Sequence, residues 1–121
     1  LQMQQANRLH LVITLYMVTA WRIMLMTLLG RIESGLPADI IFTDMELFAL
    51  HVYAHTYNLP DYTDLASALL LMAMMGGYLN RKHDPPPGHE IMWRGYTDLQ
   101  MQAIAFERLV VYNRMRRSRP P

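Results

Sequence analysis

Arg81, Lys82 and His83 stand together in the stretch Gly76-Gly77-Tyr78-Leu79-Asn80-Arg81-Lys82-His83-Asp84, which Pro85-Pro86-Pro87-Gly88 closes. A short cationic element on a corner stiffened by prolines suits a phosphate backbone, which fixes a protein's position without carrying base information. Taken alone, a basic loop between two helices is more often a solvated connection. His51 and His55 are the other pair whose spacing carries chemistry. At i and i+4 they share a helix face, as in some zinc sites. No acid stands between them in His-Glu-x-x-His order, and Asp44 is about two turns away. The pair therefore reads as solvent-facing histidines opposite Phe48 and Val52, and no metal site is predicted. The sequence has neither a Ser-His-Asp nucleophile pattern nor a phosphate-binding glycine loop. It has no cysteine, so thiol chemistry, Cys-based metal sites and a disulfide framework are excluded, which fits a reducing cytoplasm.

The elements that must position these residues read as helices. At 121 residues the chain is one domain at most, and its 52% hydrophobic content is too high for simple disorder. Net charge is only +1, so bulk charge does not announce nucleic acid. Its distribution says more: Arg114, Arg116, Arg117 and Arg119 load the C-terminus, and Arg81 with Lys82 load the corner. The first residue is Leu1, and the chain reads as a fragment or processed piece of a longer protein.

Residues 2–29 form the first predicted helix, with Gly30 as its cap. It is apolar on every face, the mark of burial in a larger body or a membrane. Leu9 to Leu29 is long enough to span a bilayer, but Arg22 inside it would cost about 2.5–3.5 kcal/mol on insertion scales. Residues 30–42 connect it to a second helix. There Thr43 is the N-cap and Glu46 completes a capping box, with an end near Tyr57. A third helix starts after Thr63 or Asp61 as cap and runs to Gly76. The fourth starts near Glu90 or Ile91 and ends near Asn113. Its stripe is Met92, Trp93, Tyr96, Leu99, Ala103, Phe106, Leu109 and Val110. The predicted fold is all-α with about four helices. The predicted parts are residues 1–30 as a closing helix, 31–113 as a helical domain, and 114–121 as a disordered basic tail.

Gly-Gly-aromatic-Leu-x-Arg-Lys-x-Asp at residues 76–84, then Pro87-Gly88, then Trp93-Arg94-Gly95, resembles the C-terminal domain of bacterial insertion-sequence transposases. The resemblance is to the transposon-five group of the insertion sequence four family. Ala20-Trp21-Arg22-Ile23, Thr27-Leu28-Leu29-Gly30-Arg31 and Leu36-Pro37-Ala38 follow in that family's order. Pro85, Pro86, Met74, Met75 and Leu47 depart from its usual residues.

The resemblance implies part of a DDE-type enzyme, in which three carboxylates hold two divalent metals, magnesium or manganese, for phosphodiester chemistry. In that family these acids lie upstream. Glu33, Asp39, Asp44, Glu46, Asp61, Asp64 and Asp98 match none of them, so this chain is expected to have no nuclease activity by itself. The resemblance also implies a homodimeric partner subunit met by Ala105, Phe106, Leu109 and Val110 on the last helix. It implies backbone contacts to transposon-end DNA from Asn80, Arg81, Lys82 and His83. The first helix would pack on an upstream catalytic domain, in a bacterial cytoplasm. The competing readings are a helical interaction module without a DNA role and a small single-span membrane protein.

Overall fold

The computed structural model describes residues 2–32 and 35–119. Among these the chain forms four α-helices and no strand: α1 (Gln2–Ile32), α2 (Asp44–Thr56), α3 (Leu65–Met75) and α4 (His89–Ser118). A 3-10 turn, Ala38–Ile40, lies between α1 and α2. The expected all-α fold with long first and last helices is the fold observed.

No proline interrupts α1, and its threonines are satisfied inside it. Thr14, Thr19 and Thr27 donate to the carbonyls of His10, Leu15 and Ile23 at 2.8, 2.9 and 2.8 Å. The helix does not stop at Gly30 but continues to Ile32. Gly30 lies against α3 instead: a Cβ there would stand 2.5 Å from Cδ1 of Leu69, the end of a side chain that can turn aside. Glu33 lies outside the described residues.

The capping box at α2 forms as its residues predict. Thr43 N–H donates to Glu46 Oε1 at 2.7 Å, and Glu46 N–H donates to Thr43 Oγ1 at 3.3 Å. At α3 the cap is Asp64, not Thr63 or Asp61. Ser67 decides this by supplying a reciprocal partner. Its N–H donates to Asp64 Oδ1 at 2.9 Å while its Oγ accepts the Asp64 N–H at 3.0 Å. Asp61 is already engaged, with His51 Nδ1 and its neighbour's N–H from Tyr62.

α4 passes Asn113 and runs to Ser118. The segment from Arg114 to Ser118 is therefore helix rather than disordered tail; Pro120 and Pro121 lie outside the described residues. Arginine and methionine are good helix formers, and Arg116 and Arg117 sit where the helix dipole favours cations.

α3 is the centre of the body, with Leu65, Ala68, Leu69, Leu71, Met72 and Ala73 buried. α4 packs across it and α2 through Met92, Tyr96, Leu99 and Ala103. The α3–α4 crossing is made backbone to backbone by Gly76 and Gly95. A Cβ on Gly95 would overlap the Met72 carbonyl oxygen, and one on Gly76 would overlap that of Ile91. The same core takes in Ile23 and Met26 of α1, so its edge falls inside α1, before residue 30. The first half of α1 touches the body only near its end, where Tyr16 meets Trp93 of α4 with ring centroids 4.8 Å apart; Leu9, Leu11, Val12, Leu15 and Met17 are exposed.

Candidate subunit interface and basic corner

Three helices are tied together by one polar cluster, and that cluster sets the direction of α4. Arg22 of α1 donates to Glu46 Oε1 of α2 at 3.0 Å, to the Ile41 carbonyl at 3.0 Å and to Tyr96 Oη of α4 at 2.8 Å. Its guanidinium carbon lies 5.4 Å from the centre of the Tyr96 ring. Gln100, one turn further along α4, donates to Glu46 Oε2. The Glu46 carboxylate is buried and every one of its contacts is a donor, as a buried charge requires. Burial works to lower the Arg22 pKa, but the Glu46 charge, the Tyr96 ring and the hydrogen bonds together outweigh it. The guanidinium is therefore held above its ordinary value.

Beyond Ala103, α4 leaves the body. Phe106 is half-buried, edge-on to Phe48 of α2 with ring centroids 5.1 Å apart. Ala105, Leu109 and Val110, predicted with Phe106 to meet a partner, are exposed. So are Met101, Ile104, Val111, Tyr112 and Met115, which the apolar stripe of α4 does not include. A shallow apolar groove of about 380 Å³ runs between Ile104, Glu107, Arg108, Val111, Tyr112 and Met115. The sequence carried a signal for this second face: residues 101, 104, 108, 111 and 115 follow a three-four spacing. Arg108 in its middle hides it from a search for apolar residues alone.

The basic corner is a closed turn. Gly77 at φ 103° and Asn80 at φ 52° take left-handed conformations, which glycine and asparagine tolerate best. Arg81 N–H donates to Asp84 Oδ2 at 2.9 Å, and Arg81 Nε donates to Asp84 Oδ1 at 3.1 Å. Tyr78 Oη ties the corner to the proline segment by donating to the Pro85 carbonyl at 2.8 Å. Asn80, Arg81, Lys82 and His83 are all exposed and adjacent. Arg81 spends its charge on Asp84, whose carboxyl is held below the ordinary range by the Arg81 side chain and then by the Arg81 N–H. Lys82 and His83 form no ion pair among the described residues.

His51 and His55 do not converge on a third ligand. His51 pairs with Asp61 at 2.5 Å, and among the described residues no group of three His, Asp or Glu side chains is placed to hold a metal.

The family model of the Transposase Tn5 dimerisation domain matches residues 18–117. The chain belongs to that family. No curated protein matches it, and no solved structure does. Membership in the Transposase Tn5 dimerisation domain family assigns the chain a non-catalytic region of a transposase with a second transposase subunit as partner. The match begins within α1, close to where α1 joins the core at Ile23. It spans the Arg22 cluster, the Gly76–Gly95 crossing, the corner and nearly all of α4.

Proposed function

We propose that this chain is the C-terminal dimerisation region of a cut-and-paste DNA transposase of the insertion sequence four type, working on DNA in a bacterial cytoplasm. The observation that carries it is the projecting half of α4. It exposes apolar side chains from Ile104 to Met115 in a member of a dimerisation family. Left in water, such a face favours association. Ala105, Leu109 and Val110 lie on this segment, with Phe106 at its root. Joining two subunits holds two transposon ends together, so that each catalytic centre waits for its partner. The DDE carboxylates and their magnesium or manganese ions belong to the catalytic domain of the parent enzyme. The exposed first half of α1 is assigned to contact with that domain.

The corner at Asn80, Arg81, Lys82 and His83 adds contacts to end-DNA phosphates, which position rather than specify. Its support is the exposure of four adjacent polar side chains on a turn closed by hydrogen bonds.

α1 is long and apolar enough to cross a bilayer by length and composition. Two features favour a protein contact over a membrane one. Arg22, Ile23 and Met26 are engaged in the helical body. Tyr16 also meets Trp93 of α4, so the apolar stretch left free, Leu9 to Leu15, has about 7 residues against the roughly 20 that a span needs.

Light scattering on the purified chain tests the proposal. A dimer at micromolar concentration is expected, and Leu109→Glu tests whether that side of α4 takes part. A wild-type monomer at every accessible concentration would remove the observation's link to subunit pairing.

A further inference from the structure

We propose that the cleft between α2 and α4, walled by Tyr53, Tyr57, Asp98 and Gln102, binds an arginine side chain presented by a protein partner. The proposal does not depend on the pairing of two copies. The cleft includes no residue of the projecting half of α4 and none of the corner at residues 80–83.

Each helix supplies two side chains four residues apart, which places both on one face. α2 supplies Tyr53 and, just past its end, Tyr57, and α4 supplies Asp98 and Gln102. With Met75 of α3 they line a cleft of about 390 Å³. The two tyrosine rings stand tilted against each other with centroids 4.8 Å apart, and Tyr57 is exposed.

The lining offers acceptors and one charge. No Lys, Arg or His lines the cleft, and Asp98 is its only acid. Asp98 forms no ion pair among the described residues, although Arg94 stands one turn before it. Arg94 pairs instead with Glu90 at 2.8 Å. An acid followed four residues later by a base suits the helix dipole better than the reverse order. Glu90 therefore takes Arg94, and the Asp98 carboxylate is left open. Thr56 gives its hydroxyl hydrogen to the Val52 carbonyl at 2.7 Å, so its oxygen is left to accept. Burial and then Tyr57 hold the Tyr53 phenol above its ordinary value, which keeps that ring neutral.

A carboxylate beside an aromatic wall is the environment a guanidinium binds. Its fork matches the carboxylate, and its plane lies on a ring face. An ammonium offers a point charge without that fork. A nucleotide would bring phosphate to Asp98 with no cation in the lining to answer it, a like-charge contact that disfavours binding. A second cleft, about 350 Å³, continues past Asp98 and Met75 to Trp93. The groove is thus longer than one side chain, which suits a peptide segment better than a free cation.

The test is an amide NMR titration of the full chain with blocked tripeptides: Gly-Arg-Gly, Gly-Lys-Gly and Gly-citrulline-Gly. Citrulline keeps the shape of arginine and loses its charge. The arginine peptide is expected to give saturable shifts at Tyr53, Tyr57, Asp98 and Gln102. The citrulline peptide should bind at least about tenfold more weakly, and so should the arginine peptide to Asp98→Asn. Tyr57→Leu should weaken it about threefold. Both positions are exposed, and an otherwise unchanged spectrum shows that the variants fold. Glu90→Gln, which lies outside the cleft, should also weaken binding, because it frees Arg94 to turn to Asp98. Equal affinity for the citrulline peptide, or an unchanged affinity in Asp98→Asn, would overturn the proposal. So would an absence of shifts at these residues, or shifts spread evenly over every exposed acid. Tighter binding of guanosine monophosphate at the same amides would make the cleft a nucleotide site and overturn it as well. None of these outcomes bears on dimerisation, which light scattering decides separately.

Discussion

The Arg22 guanidinium lies 3.0 Å from the Glu46 carboxylate, and this contact joins the first helix to the cap of the second. Glu46 serves two purposes through one oxygen: Oε1 accepts both the Thr43 N–H of the capping box and the Arg22 guanidinium. With Tyr96 and Gln100 on α4 also bound to this pair, the orientation of the projecting helix depends on it.

Removing Arg22 should therefore cost more than a surface ion pair would. Breaking a buried pair costs about 3–5 kcal/mol, and Arg22 is about a third exposed, which argues for the lower end. Arg22→Met is expected to lower stability by about 3 kcal/mol in urea unfolding, since methionine keeps some of the packing. Glu46→Gln should lower it too, and the double variant should cost less than the sum of the two. Strict additivity would show that the two groups act independently.

The glycine crossing predicts a sharp contrast between two substitutions of the same kind. A Cβ at Gly95 meets the Met72 backbone, which cannot move without shifting α3. Gly95→Ala is expected to cost about 3 kcal/mol or more, as severe overpacking does. A Cβ at Gly30 meets only the end of the Leu69 side chain, which can change rotamer. There the gain in helix propensity, about 1 kcal/mol, offsets much of the crowding. Gly30→Ala should therefore change stability by less than about 1 kcal/mol in the same unfolding measurement. Equal losses at both sites would refute the assignment of Gly95 to a backbone contact.

Local patterns made the helices legible, and long-range contacts limited the rest. Thr43 and Glu46 are three residues apart, so their capping box follows from the sequence. Glu46 and Arg22 are 24 apart, and no spacing rule connects them. Thr63 and Asp61 are the caps the sequence suggests, and the reciprocal bond of Ser67 gives the place to Asp64 instead. The last arginines resembled a tail because charge clusters often mark solvated ends, yet nothing in Arg114 to Ser118 breaks a helix. The transposase motifs were legible as residues before their reasons were. The structure shows that Gly76 and Gly95 meet each other's helices and that Arg22 anchors α1.

Stability should fall in acid, and the sign follows from two carboxyls. Asp84 is held below the ordinary range by the Arg81 side chain and then its N–H. Asp64 is held down by the Ser67 N–H and then its hydroxyl. A lowered value in the folded state means that the unfolded chain binds more protons as pH drops. The stabilisation is present above the unfolded carboxylate value and is lost as pH falls through the folded one. Thermal melting should be nearly level above about pH 5 and decline below about pH 4. Both groups are half-buried at the surface and held by single turns, so the decline should be shallow, and Asp84→Asn should flatten it further. A melting temperature that rises on acidification would contradict this account.

Charge accounting at the corner separates its two strong cations. Arg81 is committed to Asp84, while Lys82 has no ion-pair partner among the described residues. If the corner meets DNA phosphates, Lys82→Ala should lower affinity and reduce the salt slope by about one counterion. Arg81→Ala should have a mixed effect, because it removes a cation and also releases the Asp84 carboxylate and the turn it closes. Asp84→Asn should act in the opposite direction to Lys82→Ala, freeing Arg81 and strengthening binding. Titrations of transposon-end DNA at several salt concentrations measure all three. The order expected for affinity is Asp84→Asn, wild type, then the two alanine variants. Identical slopes for wild type and Lys82→Ala would take the corner off the DNA surface.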